Sequence, residues 1–92
     1  MIHFAKSARK HKVSRDQIRY VIRHCGLPAD VPPPEGSRYI SDRILYLGDD
    51  QAGVALEILA TVIEGGDLLV FHAKRMGKQY KVQYEEALKC RI

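Results

Sequence analysis

No stretch of this sequence stays apolar for the ~18 residues that a helix needs to cross a bilayer. Cysteine is scarce: Cys25 and Cys90 stand far apart and belong to no CxxC pair. The start, Met1-Ile2-His3-Phe4-Ala5-Lys6, turns basic at once and lacks the apolar run of a signal peptide. Together these absences lead us to expect a cytoplasmic protein with no membrane partner, whose thiols are buried and unreactive in a reducing compartment. Internal repeats, low-complexity tracts and interdomain linkers are also missing. His3, His11 and His24 have no metal-ligand spacing and no acidic cluster completes one, so neither a metal nor a cofactor is expected. The aromatic residues Phe4, Tyr20, Tyr39, Tyr46, Phe71, Tyr80 and Tyr84 are scattered, which argues against a module that reads a long single strand.

What is present fits one domain spanning residues 1–92. A chain of this size buries roughly 60–65% of its unfolded surface. That allows one core but no deep, walled cavity, so an active site would be an open surface patch. A hydrophobic share of 46% with 28% charged residues is that of a folded protein rather than a disordered one.

Charge is unevenly placed. Residues 1–25 carry seven Lys or Arg against one acid, residues 26–73 two against eight, and residues 74–92 six against two. If folding brings both basic ends onto the same side, they form one positive face suited to a polyphosphate. Otherwise they are solvated helix exteriors.

The clearest element is a helix over residues 15–25. Ser14 and Gln17 have the form of a capping box, and Ile18, Val21, Ile22 and Cys25 make one apolar stripe. Gly26 and Pro28 supply the stop. Residues 4–11 read either as a short helix or as an entering strand followed by a helical turn. Residues 27–37, with Pro32-Pro33-Pro34, read as a stiff extended loop. Three strands are predicted at 44–47, 54–63 and 68–73, joined by turns at Asp49-Asp50 and Glu64-Gly65-Gly66-Asp67 into an antiparallel meander. The third is almost wholly apolar and is expected at the centre of the sheet. From Lys78 to Lys89 the period becomes helical, with Tyr80, Tyr84, Ala87 and Leu88 on one face. The fold class is α+β: N-terminal helices, an antiparallel sheet and a C-terminal helix in two layers.

Two segments resemble a known family. Lys10-His11-Lys12-Val13-Ser14-Arg15-Asp16-Gln17 is similar to the K-H-G-V-S-x-x-E start of the long helix in BrnT-like toxins. Phe71-His72-Ala73-Lys74-Arg75-Met76-Gly77-Lys78-Gln79-Tyr80-Lys81-Val82-Gln83-Tyr84-Glu85-Glu86-Ala87 resembles the strand, basic turn and helix that close the same family. The likeness spans residues 9–88 and departs from the family pattern at four positions. Lys12 stands for a common Gly, His72 for Ser and Lys74 for Arg, while Gly77 interrupts the basic turn. The resemblance implies a RelE/ParE-type fold and a type II toxin that cleaves mRNA and inhibits translation. It also implies a cognate antitoxin as partner, often a ribbon-helix-helix DNA-binding protein. Two rival readings share the fold: a non-catalytic module binding nucleic acid or protein, and a ParE-like gyrase inhibitor.

RNA can be cut by its own 2′-hydroxyl attacking the adjacent phosphate, which needs orientation, charge stabilisation and two proton transfers. His72 is the sharpest candidate for proton transfer, because imidazole works in both directions near neutrality. Its place between Phe71 and Ala73 in an alternating strand also suits a structural histidine. Arg75 and Tyr84 complete the catalytic candidates, with Tyr84 equally suited to packing the last helix and Tyr80 assigned to the core. Lys74, Lys78 and Lys81 offer phosphate contacts at the basic turn, and Lys10, His11 and Lys12 offer more near the first helix. Arg15, Arg19 and Arg23, spaced by four, form a ridge that could track an RNA backbone or grip an acidic antitoxin segment. The resemblance further implies a surface-bound endonuclease that works within the ribosome and borrows much of its substrate positioning there. Glu85 reads as a helix-surface partner of Lys81 and Lys89.

Overall fold

In the computed structural model, which describes residues 1–24, 28–31 and 43–89, the first helix starts where its capping signal stands. The Ser14 N–H donates to Gln17 Oε1 at 2.8 Å and the Gln17 N–H donates to Ser14 Oγ at 3.1 Å. Helix α1 (Arg15–His24) thus opens on a reciprocal capping box that satisfies two otherwise free backbone donors. Ile18 and Val21 are buried, and Ile22 packs against the same cluster. Cys25, Gly26, Pro32-Pro33-Pro34, Tyr39 and Cys90 lie outside the described residues, as do the side chains of Ala87 and Leu88.

Among the described residues, five strands form one sheet: β1 (Ile2–Phe4), β2 (Ala29–Val31), β3 (Arg43–Asp49), β4 (Ala55–Val62) and β5 (Leu68–Arg75). Their order is β1-β5-β4-β3-β2. The predicted meander is present as β3-β4-β5, with antiparallel pairing at each step. Asp50 closes its first turn by accepting N–H bonds from Ala52 at 2.8 Å and Val54 at 2.9 Å. After β5 a 3₁₀ turn, Lys78–Tyr80, leads into α2 (Lys81–Lys89).

Four expectations need correction. The sheet is mixed rather than antiparallel, because β1 pairs in parallel with the first half of β5. The chain therefore begins as a strand followed by a 3₁₀ turn at Lys6–Arg9, the second of the two readings of residues 4–11, and only one of the expected N-terminal helices forms. Ala29–Val31, assigned to a loop, pairs with β3. The middle of the sheet is β4, and β5 lies beside it.

The number of layers also differs from expectation. Ile58, Val70 and Ala73 face α1 in one cluster with Ile18 and Val21, while Leu45, Leu47 and Leu59 face Tyr80 and Tyr84 in a second. Helices thus cover both faces, giving three layers rather than two. The physical cause is visible in β3 and β4, which carry apolar residues at consecutive positions and so must bury both sides. Each fully buried side chain such as Ile58 contributes roughly 1.5–3 kcal/mol through removal from water. Among the described residues, no helix is long and apolar enough to cross a membrane.

Candidate functional site

One register shift decides which side chains meet. Leu59 pairs with His72 but Ala60 pairs with Val70, so Phe71 is an extra residue and β5 carries a bulge there. Strict alternation would send His72 to the same face as Val70 and Leu68. The bulge reverses the parity, turning His72 and Lys74 toward the α2 face, and Ala73 and Arg75 toward the α1 face. Phe71 packs with the α2-side cluster, so it shares a face with His72 instead of alternating with it.

On that face His72 meets a residue that sequence reasoning missed. Glu57, in the central strand between Leu47 and Lys74, is buried at 1% exposure. Its Oε1 accepts the Gly77 backbone N–H at 2.7 Å, and its Oε2 lies 2.9 Å from His72 Nε2. A buried carboxylate needs such donors to offset its lost hydration. Gly77 suits the approach, since a Cβ there would stand 3.2 Å from Glu57 Oε1, a tight contact that the carboxylate would have to yield to. A lone carboxylate within Val54-Ala55-Leu56-Glu57-Ile58-Leu59-Ala60 was the available signal. An acid in a strand apolar on both faces must have a buried partner.

The His72 side chain remains 28% exposed against 2% for Glu57, so the pair is a buried anchor carrying an accessible ring. The His72 tautomer whose Nε2–H donates to Glu57 Oε2 leaves Nδ1 with a lone pair. The His11 ring approaches the His72 ring edge-on, with centroids 5.8 Å apart. It is held there by the turn after the 3₁₀ segment, whose Ser7 hydroxyl donates to the Phe71 carbonyl at 2.6 Å. Lys12, next in the chain, takes a left-handed φ of 61°.

The remaining candidates divide by face. Lys10, His11 and Lys12 are exposed in the turn beside β5, and Lys78 and Lys81 are exposed at the head of α2. Arg15 and Arg19 lean over the Phe4 ring, at 5.4 and 5.3 Å from its centroid, on the β1 edge of the sheet. Arg23 lines a shallow groove with Asp16, Arg19, Tyr20, His24 and Gln51 on the outer face of α1. Arg75 is not brought to His72. It projects on the α1 side opposite Leu56, toward Asp50, whose carboxyl is held below the usual range chiefly by the Gln17 hydrogen bond and in the smallest part by the Arg75 charge. The idea of both basic ends on one face is corrected accordingly: α1 and α2 lie on opposite faces, and of the N-terminal site candidates it is His11, in the 10–12 turn, that meets His72. Tyr84 stands over β3, two strands from His72 in the sheet, and its hydroxyl donates to Asp49. Tyr80 packs on the α2-side cluster.

Among the described residues, no three His, Cys, Asp or Glu side chains converge as a metal would require. In comparisons with known proteins, the chain matches no family profile, no curated protein and no solved structure.

Proposed function

We propose that this chain is an endoribonuclease of the type II toxin kind, cutting mRNA at the open face where Glu57 holds His72. The observation that carries the reading is the pairing of a buried carboxylate with an accessible imidazole, flanked by lysines. In this reaction His72 Nδ1 takes the proton of a ribose 2′-hydroxyl as O2′ attacks the adjacent phosphorus. Glu57 fixes the ring orientation and steadies the imidazolium as it forms, which makes it a positioning residue. Lys74 and Lys78 offset negative charge gathering on the phosphate oxygens, and Lys10, Lys12 and Lys81 attract the backbone. The chemistry on these residues calls on no cofactor.

The resemblance of residues 9–88 to BrnT-like toxins supports the same reading and supplies its partner, a cognate antitoxin. The Arg15, Arg19 and Arg23 ridge, set on the other face from His72, suits an acidic antitoxin segment and leaves the cleavage face to RNA. The site is open, and mRNA positioned by the ribosome would provide the walls that the chain lacks.

Induced expression in a bacterial host tests this reading. Growth arrest with mRNA loss is expected for the parent chain, relief for His72→Ala, and continued arrest for Arg75→Ala. Arrest that His72→Ala leaves unchanged would exclude the site, and arrest accompanied by DNA damage with intact RNA would exclude the substrate.

A further inference from the structure

The cleavage reading gives His72 one of two protons to move, and the other must reach the departing 5′-oxygen. We infer that His11 is the group that delivers it, acting as a general acid beside the His72 base. The inference rests on the reading above. Its own support is placement: the two imidazoles touch edge-on with centroids 5.8 Å apart, although they come from a turn and a strand 61 residues apart in sequence.

That meeting is built into the backbone. Ser7 ties the turn to the Phe71 carbonyl at 2.6 Å, the bulge at Phe71 swings His72 toward it, and the left-handed Lys12 turns the chain back into α1 directly after His11. A non-glycine residue at such a φ carries strain that a purely solvated turn has no reason to keep. His11 is exposed and not tethered by Glu57, whose oxygens are taken by His72 and Gly77. Among the described residues no carboxylate is paired with its ring. In the proposed step the two rings address opposite sides of one phosphodiester, as in-line displacement requires.

The step balances as follows. O2′ bonds to phosphorus and the P–O5′ bond breaks. The 2′-hydroxyl proton passes to His72 Nδ1, and the proton on His11 passes to O5′. The products are a 2′,3′-cyclic phosphate and a free 5′-hydroxyl, and exchange with solvent returns both rings to their starting states.

The test uses an RNA oligonucleotide, presented free and on ribosomes, with its cut mapped for the parent chain. It is compared with the same RNA carrying sulfur in place of the bridging 5′-oxygen at that cut. A thiolate departs without a proton. His11→Ala should slow cleavage of the all-oxygen RNA by about 100-fold or more, yet cut the sulfur RNA within about fivefold of the parent rate. His72→Ala should remain slow on both. Equal loss by His11→Ala on both RNAs, or no loss on either, would overturn the assignment while leaving cleavage at His72 standing. A parent chain that cuts neither RNA would overturn the cleavage reading, and this inference with it.

Discussion

Gln17 and Asp50 lie 33 positions apart and are joined by a 2.8 Å hydrogen bond from Gln17 Nε2 to Asp50 Oδ2. The same Gln17 closes the α1 capping box through its Oε1, so one amide fastens the helix start to the β3–β4 turn. Asp50 is 5% exposed, and its carboxyl sits below the ordinary value of 3.8, chiefly because of the Gln17 bond and then the Val54 N–H. Asp67 is lowered too, first by its bond to His3 and then by the terminal amine of Met1.

Acid sensitivity follows from these two carboxylates. Their native values lie below their unfolded ones, so the stability they confer is complete above about pH 4 and is lost as pH falls through the lower native values. Asp50→Asn and Asp67→Asn should each lower stability near neutrality and flatten its decline in acid. Urea midpoints measured from pH 6 down to pH 2 check this. The Asp67 share should shrink in high salt, because its ion pairs are exposed.

Replacing Glu57 separates packing from chemistry. Glu57→Ala strands the Gly77 N–H and the His72 Nε2–H in a buried site and should cost about 3 kcal/mol. Glu57→Gln keeps the shape and should cost only about 1 kcal/mol, but its amide donates where the carboxylate accepted. His72 must then place its hydrogen on Nδ1. Nitrogen-15 NMR of the imidazole should report Nε2–H in the parent chain and Nδ1–H in Glu57→Gln.

Lys12 offers a stabilising change. Its φ of 61° suits glycine, and Lys12→Gly should raise stability by about 0.5–1 kcal/mol, read from urea unfolding. A loss of stability would mean that the lysine side chain contributes more than its backbone strain removes.

Tyr84 tests the division between structure and catalysis. Its ring packs on the Leu45, Leu47 and Leu59 cluster and its hydroxyl donates to Asp49. Tyr84→Phe should cost about 1–2 kcal/mol of stability and leave RNA cleavage nearly unchanged. A large fall in turnover with unaltered stability would return Tyr84 to the reacting groups.

Helix α1 was legible because its signals are local: the Ser14–Gln17 box and the Ile18–Val21–Ile22 stripe lie within one short segment. The meander was legible because Asp50 and the two glycines Gly65 and Gly66 mark its turns. The parallel pairing of β1 was hidden, since three residues carry no periodicity that could name a partner 66 positions away. The third layer was foreshadowed by apolar residues on both faces of β4, a pattern that calls for two covers. The site depended on what alternation conceals. One inserted residue at Phe71 reverses every later side chain in β5 and unites His72 with Glu57, while Arg75, three residues further on, faces away from His72 by alternation alone. The basic ends carried similar charge but belonged to helices on opposite sides, because charge counts contain no information about faces.

The most direct measurement is cleavage of RNA by purified parent chain, Glu57→Gln and His72→Ala, with the new ends identified. The account predicts 2′,3′-cyclic phosphate and 5′-hydroxyl ends from the parent. It also predicts rates lower by about 100-fold or more in both variants, with Glu57→Gln still folded. Undiminished cutting by folded Glu57→Gln, or intact RNA with the parent both free and on ribosomes, would contradict it.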